Sequence, residues 1–460
     1  MRKKTAQLIT QSSNLTYFVV NFVIALAVLT RGDFSLSHQD PIPIWNQADQ
    51  FFWRQLQALL DGRLWVMPSQ LKGECFFHDG HCFSYFGLTP SIIRLPFLPL
   101  LTAFDTAGTA YFTAVAVGLS ALAFWLIAND LAKEALSNSL LLKTCVALFL
   151  GPFSVLFFLS RTSIYHEALA WTLCFASFSI RYFVRWLKLG SRVDYLLLLI
   201  AAVFSAGVQP SIIPVLFVMA IGYAVIARMD GVALYSIVKK VIPLISMPIL
   251  VCFGTLAIKF GTPAFDGTLH QDIPETPYWT KVLAINGHQL TSLDFIPTQL
   301  FSSFRPDGLI FSKTSPWIDL RFPFHQSIQY LPPVKIGGMA PAGAPSGISI
   351  FPAQFLFFLA SIALVGRKIR NRRWLAIHLK NVVTLLACSA FLLLSAMQVQ
   401  IASRYLAYYY LPVSFSVIFV LTLYQLADKQ SFLDLFIKGF SLVGTLWTFF
   451  CLYNLYIGGT

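Results

Sequence analysis

The chain alternates between long apolar runs and polar connections, and eleven of the runs are predicted to be membrane spans. A helix needs roughly 20 residues to cross about 30 Å of hydrocarbon. The pattern therefore predicts an all-α integral membrane protein with about 11 transmembrane helices and two long outer loops. The predicted spans lie near 14–30, 110–128, 144–160, 167–184, 195–207, 211–227, 241–258, 350–366, 379–398, 405–425 and 437–457.

These spans and loops divide the chain into five segments. They are the first transmembrane helix in 1–30, a first outer loop in 31–109, helices 2–7 in 110–258, a second outer loop in 259–349 and helices 8–11 in 350–460. The second loop is long for a plain connection, which favours a lid over the site that binds the acceptor.

The first outer loop carries two further predicted elements. Apolar residues recur at helical spacing from Asn46 to Leu60, and this predicts an amphipathic helix at the membrane interface that Asp61-Gly62 ends. Prolines at 90, 96 and 99 break the stretch that follows. We expect that stretch to re-enter or skim the membrane before the second span.

Composition excludes a soluble domain. Of the 460 residues, 57% are hydrophobic and 12% are charged, with a mean hydropathy of +0.68, whereas about a quarter of a soluble domain is charged. Basic residues gather on the segments that face the cytoplasm when the N-terminus is inside, as in Arg367–Arg373. We therefore attribute the net charge of +13 to the membrane topology and to attraction to anionic membrane lipids. Nucleic acid is not expected as a partner.

Acidic residues concentrate in the first outer loop. Six of the 20 in the chain lie between Arg31 and Pro96. Asp33, Asp40 and Asp49 precede or begin the amphipathic helix, and a carboxylate there is suited to general base chemistry. An acid in a first helical turn can also simply complement the helix dipole, and that alternative stays open for Asp49.

Two cysteines differ from the other five. Cys75 and Cys82 flank an Asp79-Gly80 turn in the first loop, whereas the rest lie in apolar runs. On an oxidising side of the membrane the pair is expected to form a disulfide. The other interpretation is a metal clip with His78 and His81.

Several motifs make the chain similar to a known family. They are LLDGRL at the end of the amphipathic helix, DGHCFSYFGLTP, RLP, RTSIYHEALAW and ASRYLAYYYLP. With the order of one helix and a long acidic loop, the chain resembles bacterial polytopic glycosyltransferases of the GT-C superfamily. The resemblance implies a catalytic acid in the first outer loop, a polyprenyl-phosphate sugar donor, and inversion at the anomeric carbon by single displacement.

Such a transfer needs a base for the acceptor hydroxyl and cations for the departing phosphate. We expect the base to be Asp49, then Asp40, then Asp33. The expected substrate-binding residues are Arg404, Tyr405, Arg161, His166, Glu167 and Arg305. Each role has an alternative. The arginines at helix ends can simply reach the lipid headgroups, and the tyrosines at 405 and 408–410 can form an interfacial belt. Glu167 and His166 can serve only to orient Arg161.

The expected partners are the polyprenyl-phosphate donor, a glycan, lipid or protein acceptor, and membrane lipids. No cofactor is specified, and a divalent cation is left open. The alternative function is a transporter or flippase for a lipid-linked glycan or another amphiphile, which would more often place charges near mid-span and show an internal repeat. A non-catalytic envelope scaffold is a third interpretation. The expected location is the plasma membrane, with the N-terminus in the cytoplasm and the site outside.

Overall fold

Helices make up most of the structure. The computed structural model describes residues 2–36, 50–71, 75–151, 162–261, 292–297, 299–300, 309–311, 318–320, 340–342, 352–397, 400–402, 407–425, 437–439 and 441–449. This part of the chain is mostly helical (81%), as the apolar pattern predicts.

The helices follow the apolar runs of the sequence. The first half contains α1 (Arg2–Leu29), α2 (Phe51–Leu60), α3 (Pro68–Leu71), α4 (Thr89–Ile93), α5 (Leu98–Ala103), α6 (Thr109–Leu131), α7 (Lys133–Asn138), α8 (Leu140–Phe149) and α9 (Ile164–Leu189). Next come α10 (Arg192–Ala206), α11 (Ile213–Met229), α12 (Leu234–Phe260), α13 (Pro352–Lys368), α14 (Arg372–Ala390), α15 (Leu392–Ala396) and α16 (Tyr410–Gln425).

Four of the described helices are long and apolar enough to cross a membrane. They cover 12–29, 109–131, 210–229 and 234–260. This agrees with an integral membrane protein, while the total of about eleven spans stays a prediction. Helix α9 has 26 residues but ends in Arg181, Arg185 and Lys188, which shortens its apolar part.

Helix α9 lies at the centre of the described bundle. It packs against α6, α10 and α14, and α6 packs in turn against α1. Small residues allow the closest approaches: a Cβ at Gly222 of α11 would lie 2.1 Å from Val383 Cγ1 of α14. This is the use of glycine that tightly packed helices of membrane proteins require.

A short hairpin interrupts the helices in the first loop. Strands β1 (Phe76–His78) and β2 (His81–Phe83) are antiparallel, and the two turn residues have φ values of 50° at Asp79 and 75° at Gly80. Positive φ at both positions is the requirement of the tightest hairpin turn. Elsewhere β3 (Leu309–Phe311) pairs antiparallel with β4 (Ile318–Leu320), and β5 (Ala340–Ala342) pairs parallel with β6 (Gln400–Ala402).

The predicted amphipathic helix is present as α2, with a different partner from the expected one. Its described turns begin at Phe51, and residues 37–49, with the predicted first turn, lie outside the described residues. Phe51, Phe52 and Leu56 are buried against the protein. Most of the apolar face that was predicted to lie on the membrane surface is therefore covered by the rest of the first loop and the bundle, whereas Leu60 at the end of the helix is 54% exposed.

Candidate functional site

The first loop is held to the bundle by one buried arginine. Arg94 follows α4 and is 0% exposed. Its Nη1 donates to Glu167 Oε1 at 2.5 Å and to Pro90 O at 3.0 Å, and its Nη2 donates to Glu167 Oε2 at 2.8 Å. Its Nε donates to Ala107 O at 3.3 Å. One guanidinium thus connects the loop to the start of α9 and to the residues that lead into α6.

The surroundings of this ion pair are dry and aromatic. Both side chains are 0% exposed, and the Arg94 Cζ lies 4.3 Å from the ring centre of Phe112 and 5.7 Å from that of Phe52. Paired N–H···O bonds of this kind are the strongest geometry open to arginine and a carboxylate. Both charges have lost their water. Removing one partner would therefore leave the other as a buried, unpaired charge, which lowers stability strongly.

A buried lysine makes a second attachment. Lys259, in the last turn of α12, is 1% exposed. Its Nζ donates to Ser84 O at 2.9 Å and to Phe86 O at 2.6 Å. The next residue, Phe260, packs against Phe76 and Phe83 of the hairpin. The end of α12 therefore fixes both the hairpin and the segment that follows it.

Backbone contacts complete the docking of this segment. Gly87 N donates to Val208 O at 3.0 Å, and Thr89 N donates to Gly207 O at 3.1 Å. A Cβ at Gly87 would lie 1.9 Å from Gly207 O, so only glycine fits. The stretch predicted to re-enter or skim the membrane is thus packed, from Cys82 to Ser91, largely inside the protein.

The loop is also tied to α2. Ser91 Oγ of α4 donates to Gln55 Oε1 at 2.6 Å in a buried hydrogen bond, and the Phe52 ring packs edge-on against Phe86. The helix that follows the predicted catalytic acids consequently has a fixed place on the docked segment.

The third candidate for the base, Asp33, is exposed at the end of α1. Its Oδ1 accepts a hydrogen bond of 2.7 Å from Ser35 N, the local turn that a short acidic side chain favours. The following residues reach the start of α6, where Tyr111 Oη donates to Phe34 O at 2.6 Å. This position gives Asp33 a structural task at the exit of α1.

Glu167 and His166 have different partners from each other. Glu167 binds Arg94 through both oxygens and is completely buried, so in this structure its carboxylate holds the loop and does not face a substrate. His166 is half-buried, with its Nδ1 2.5 Å from Ser163 Oγ. Arg161, which they were expected to orient, lies outside the described residues.

Six predicted site residues lie outside the described part of the chain. They are Asp40, Asp49, Arg161, Arg305, Arg404 and Tyr405.

The tyrosines that follow Tyr405 are placed, and they correct the prediction of an interfacial or sugar-stacking row. Tyr408, Tyr409 and Tyr410 are buried, and Tyr410 Oη donates to Leu150 O at 3.0 Å. They belong to the core of the bundle.

Arg94 and Lys259 are the two residues that the sequence analysis missed. Arg94 stands alone among apolar residues and prolines, and the predicted span 241–258 stops just before Lys259. A cation in so apolar a setting is expensive and needs a partner. That cost is the signal that could have identified both residues.

The cysteine pair is joined in the structure. Cys75 and Cys82 form a disulfide across the hairpin, so no thiolate is left there for a metal clip with His78 and His81. Among the described residues, no group of three or more His, Cys, Asp or Glu could hold a metal ion. The disulfide closes the hairpin that Phe260 contacts, and it therefore adds to the docking of the loop.

Taken together, these contacts can position groups but cannot transfer protons to a substrate, because the charges they use are buried and engaged. Comparison of the chain with protein-family models and with curated proteins found no match. The glycosyltransferase resemblance therefore rests on the sequence motifs alone.

Proposed function

We propose that this protein is an integral-membrane glycosyltransferase that moves a sugar from a polyprenyl-phosphate donor to a glycan, lipid or protein acceptor. In this proposal about eleven spans carry two long loops on the outer face of the plasma membrane, and the N-terminus is cytoplasmic. The four apolar helices of spanning length support the membrane setting. The motifs of the first loop and of the helix ends support the reaction class.

One observation carries the proposal, namely that the described later part of the first loop, 75–107, is locked onto the bundle by Arg94 and Glu167. A sugar carried by a membrane lipid can react only with groups that are held near the bilayer. A loop fixed by a buried ion pair provides such a position, and precise placement is worth several orders of magnitude in rate.

The reaction is a single displacement. The acceptor hydroxyl attacks the anomeric carbon, its proton passes to a carboxylate of the first loop, and the bond from that carbon to the phosphate oxygen breaks. Asp49 or Asp40 supplies the carboxylate, with Asp33 third. Arg404 and Arg161, with Arg305 and Tyr405, stabilise the departing polyprenyl phosphate.

Replacement of the three acids tests this mechanism. Asp49→Asn, Asp40→Asn and Asp33→Asn are assayed singly in proteoliposomes with a radiolabelled polyprenyl-phosphate sugar and an extracted envelope acceptor. We expect loss of the base to lower the rate by about 10²–10⁴. The exposed Asp230→Asn is the matched control. Full activity in all three loop variants would exclude the mechanism.

The orientation is tested separately with introduced thiols. Ser69 and Lys368 are exposed, and the described cysteines are either buried or joined in the disulfide. An impermeant maleimide on intact cells should label Ser69→Cys, whereas Lys368→Cys should react only after permeabilisation. The reverse pattern would place the first loop in the cytoplasm and end the proposal.

A further inference from the structure

A cavity lies beside α2, apart from the buried ion pair. It has a volume of about 470 Å³ and is bounded by α2, the segment 61–67 and one side of α5. The polar and aromatic residues that line it are Trp53, Arg54, Gln57, Asp61, Arg63, Trp65 and Thr102. Sites for small molecules typically measure roughly 300–1,000 Å³, so the cavity can hold one or two sugar units.

The charge of the cavity is positive. Arg54 donates from Nη1 to Gln57 Oε1 at 3.0 Å and from Nη2 to Gln50 Oε1 at 3.3 Å. Both partners are neutral, and within the described chain no carboxylate lies within 4.0 Å of this guanidinium. Arg63 has such a partner, since its Nη2 donates to Asp61 Oδ2 at 2.6 Å. Two cations and one carboxylate leave a site that attracts an anion.

A buried hydrogen-bond donor adds to this picture. Trp53 is 2% exposed, and its indole Nε1 has no hydrogen-bond partner in the described structure. Buried polar groups are nearly always paired. This N–H has less than 1 Å² of accessible surface, so a ligand oxygen in the cavity that Trp53 lines supplies the missing acceptor only after a small shift of the indole.

A second indole is held rigidly on the same cavity. The ring of Trp65 stacks on His81, with centroids 4.7 Å apart and planes at 8°, and the Arg63 Cζ lies 4.7 Å from its centre. The neighbouring Val66 pairs with Cys82 of the disulfide. The wall formed by Trp65 is therefore fixed before any ligand arrives, which lowers the entropic cost of binding.

We propose that this cavity binds an anionic saccharide, a sugar that carries a phosphate or a carboxylate group. Arg54 pairs with the acidic group, the Trp53 N–H and the Gln57 amide bind ring or hydroxyl oxygens, and Asp61 accepts from a hydroxyl. That this saccharide is a substrate rests on the proposed glycosyltransferase function. The binding itself does not.

Binding to the full chain in nanodiscs tests the proposal without turnover. Calorimetry compares two anionic saccharides, glucose 1-phosphate and glucuronic acid, with glucose and with inorganic phosphate. We expect at least one anionic saccharide to bind about tenfold or more tightly than either glucose or phosphate. Arg54→Gln should weaken that binding about 10- to 100-fold, because it removes a charge-assisted hydrogen bond.

Two further variants make the result specific. Trp53→Phe keeps an aromatic ring but removes the N–H, and it should weaken binding about threefold to tenfold. The exposed Arg228→Gln at the end of α11 is the matched control and should bind as the unmodified protein does. Unfolding temperatures of all variants show whether they are folded; Arg54 is half-exposed, so its variant should retain the fold.

Three results would overturn the proposal: no binding of either anionic saccharide, phosphate or glucose binding as tightly as the tighter of the two anionic saccharides, or unchanged binding in Arg54→Gln. A polyprenyl-phosphate glucose added to the bilayer then identifies the source. If this lipid competes with the soluble saccharide, the cavity binds the sugar of the lipid carrier. If the two bind independently, the cavity binds a separate acceptor. Binding without any transfer activity would refute only the proposed function, and transfer activity without binding would refute only the cavity.

Discussion

The two ends of α9 hold their charges in opposite ways. At the N-terminal end Glu167 and Arg94 are both 0% exposed and are joined at 2.5 and 2.8 Å. At the C-terminal end Arg181 lies 4.0 Å from Asp130, and these side chains are 15% and 31% exposed. Arg185 binds Asp194 at 2.8 Å but is 34% exposed itself.

This difference separates a pair in which both partners are closed to water from pairs in which one partner is still partly exposed. Each pair at the C-terminal end keeps one side chain about a third exposed, Asp130 at 31% and Arg185 at 34%, so water still serves one partner and the pair gains less than a fully buried one. A buried pair cannot be broken without leaving an unsolvated charge, so it fixes the position of the loop relative to the bundle. The docked end of α9 is therefore the end at which we place function.

The largest expected effect comes from breaking the buried pair. Glu167→Gln removes the negative charge and leaves the Arg94 guanidinium buried without it. We expect the free energy of unfolding to fall by about 3–5 kcal/mol. Denaturant titration of the purified protein in detergent measures this.

A double variant separates the charge effect from simple loss of packing. Arg94→Met combined with Glu167→Leu removes both charges and keeps apolar volume, and it should be more stable than Glu167→Gln alone. A double variant at least as unstable as the single one would mean that the pair acts through its contacts with Pro90 and Ala107, and not through an unpaired charge.

The next effect comes from the disulfide at the docked end. Replacing Cys75 and Cys82 together with serine opens a short loop, with a sequence separation of 7. We expect a loss of about 2–3 kcal/mol in the free energy of unfolding from the entropy of the unfolded chain. Dithiothreitol should lower the stability of the unmodified protein equally and leave the double variant unchanged. A stable reduced protein would show that noncovalent contacts, such as those of Phe260 and Val66, are enough to hold the hairpin.

The attachment through α12 is expected to be weaker than the ion pair. Lys259→Met keeps the length of the side chain but leaves Ser84 O and Phe86 O without their donor, at about 1–3 kcal/mol in the free energy of unfolding. Proteolysis within 75–94 should become faster at the same time. Lys239→Met, at an exposed position of the same helix, should change stability by no more than about 0.5 kcal/mol. Equal effects of the two changes would remove the special role of Lys259.

Much of the fold follows from local pattern. Hydropathy located the four helices of spanning length. The Asp79-Gly80 turn between two cysteines predicted the Cys75–Cys82 disulfide that the structure contains. Helical spacing found α2. It could not tell whether the apolar face of α2 meets lipid or protein, since both are equally apolar.

The site was less accessible to sequence reasoning. Glu167 and Arg94 are 73 residues apart, and no periodic pattern connects positions so distant in the chain. The same limitation applies to Lys259 and the carbonyls of Ser84 and Phe86. Tyr408–Tyr410 look like an interfacial row because tyrosine is amphipathic, but their hydroxyls find partners inside the bundle, as with Tyr410 and Leu150.

The smallest effect is expected at the other end of α9, and it is the control for the whole comparison. Asp130→Asn makes the same chemical change as Glu167→Gln, but the Asp130 side chain is 31% exposed and its Oδ2 is 4.0 Å from Arg181 Nε. That oxygen is buried and makes no hydrogen bond in the described structure, so the change removes no hydrogen bond from it. We expect a change below about 1 kcal/mol in either direction, measured in the same titration. If Asp130→Asn instead lowered the free energy of unfolding as much as Glu167→Gln, burial would not distinguish the two ends of α9. The buried ion pair would then not be what positions the docked loop.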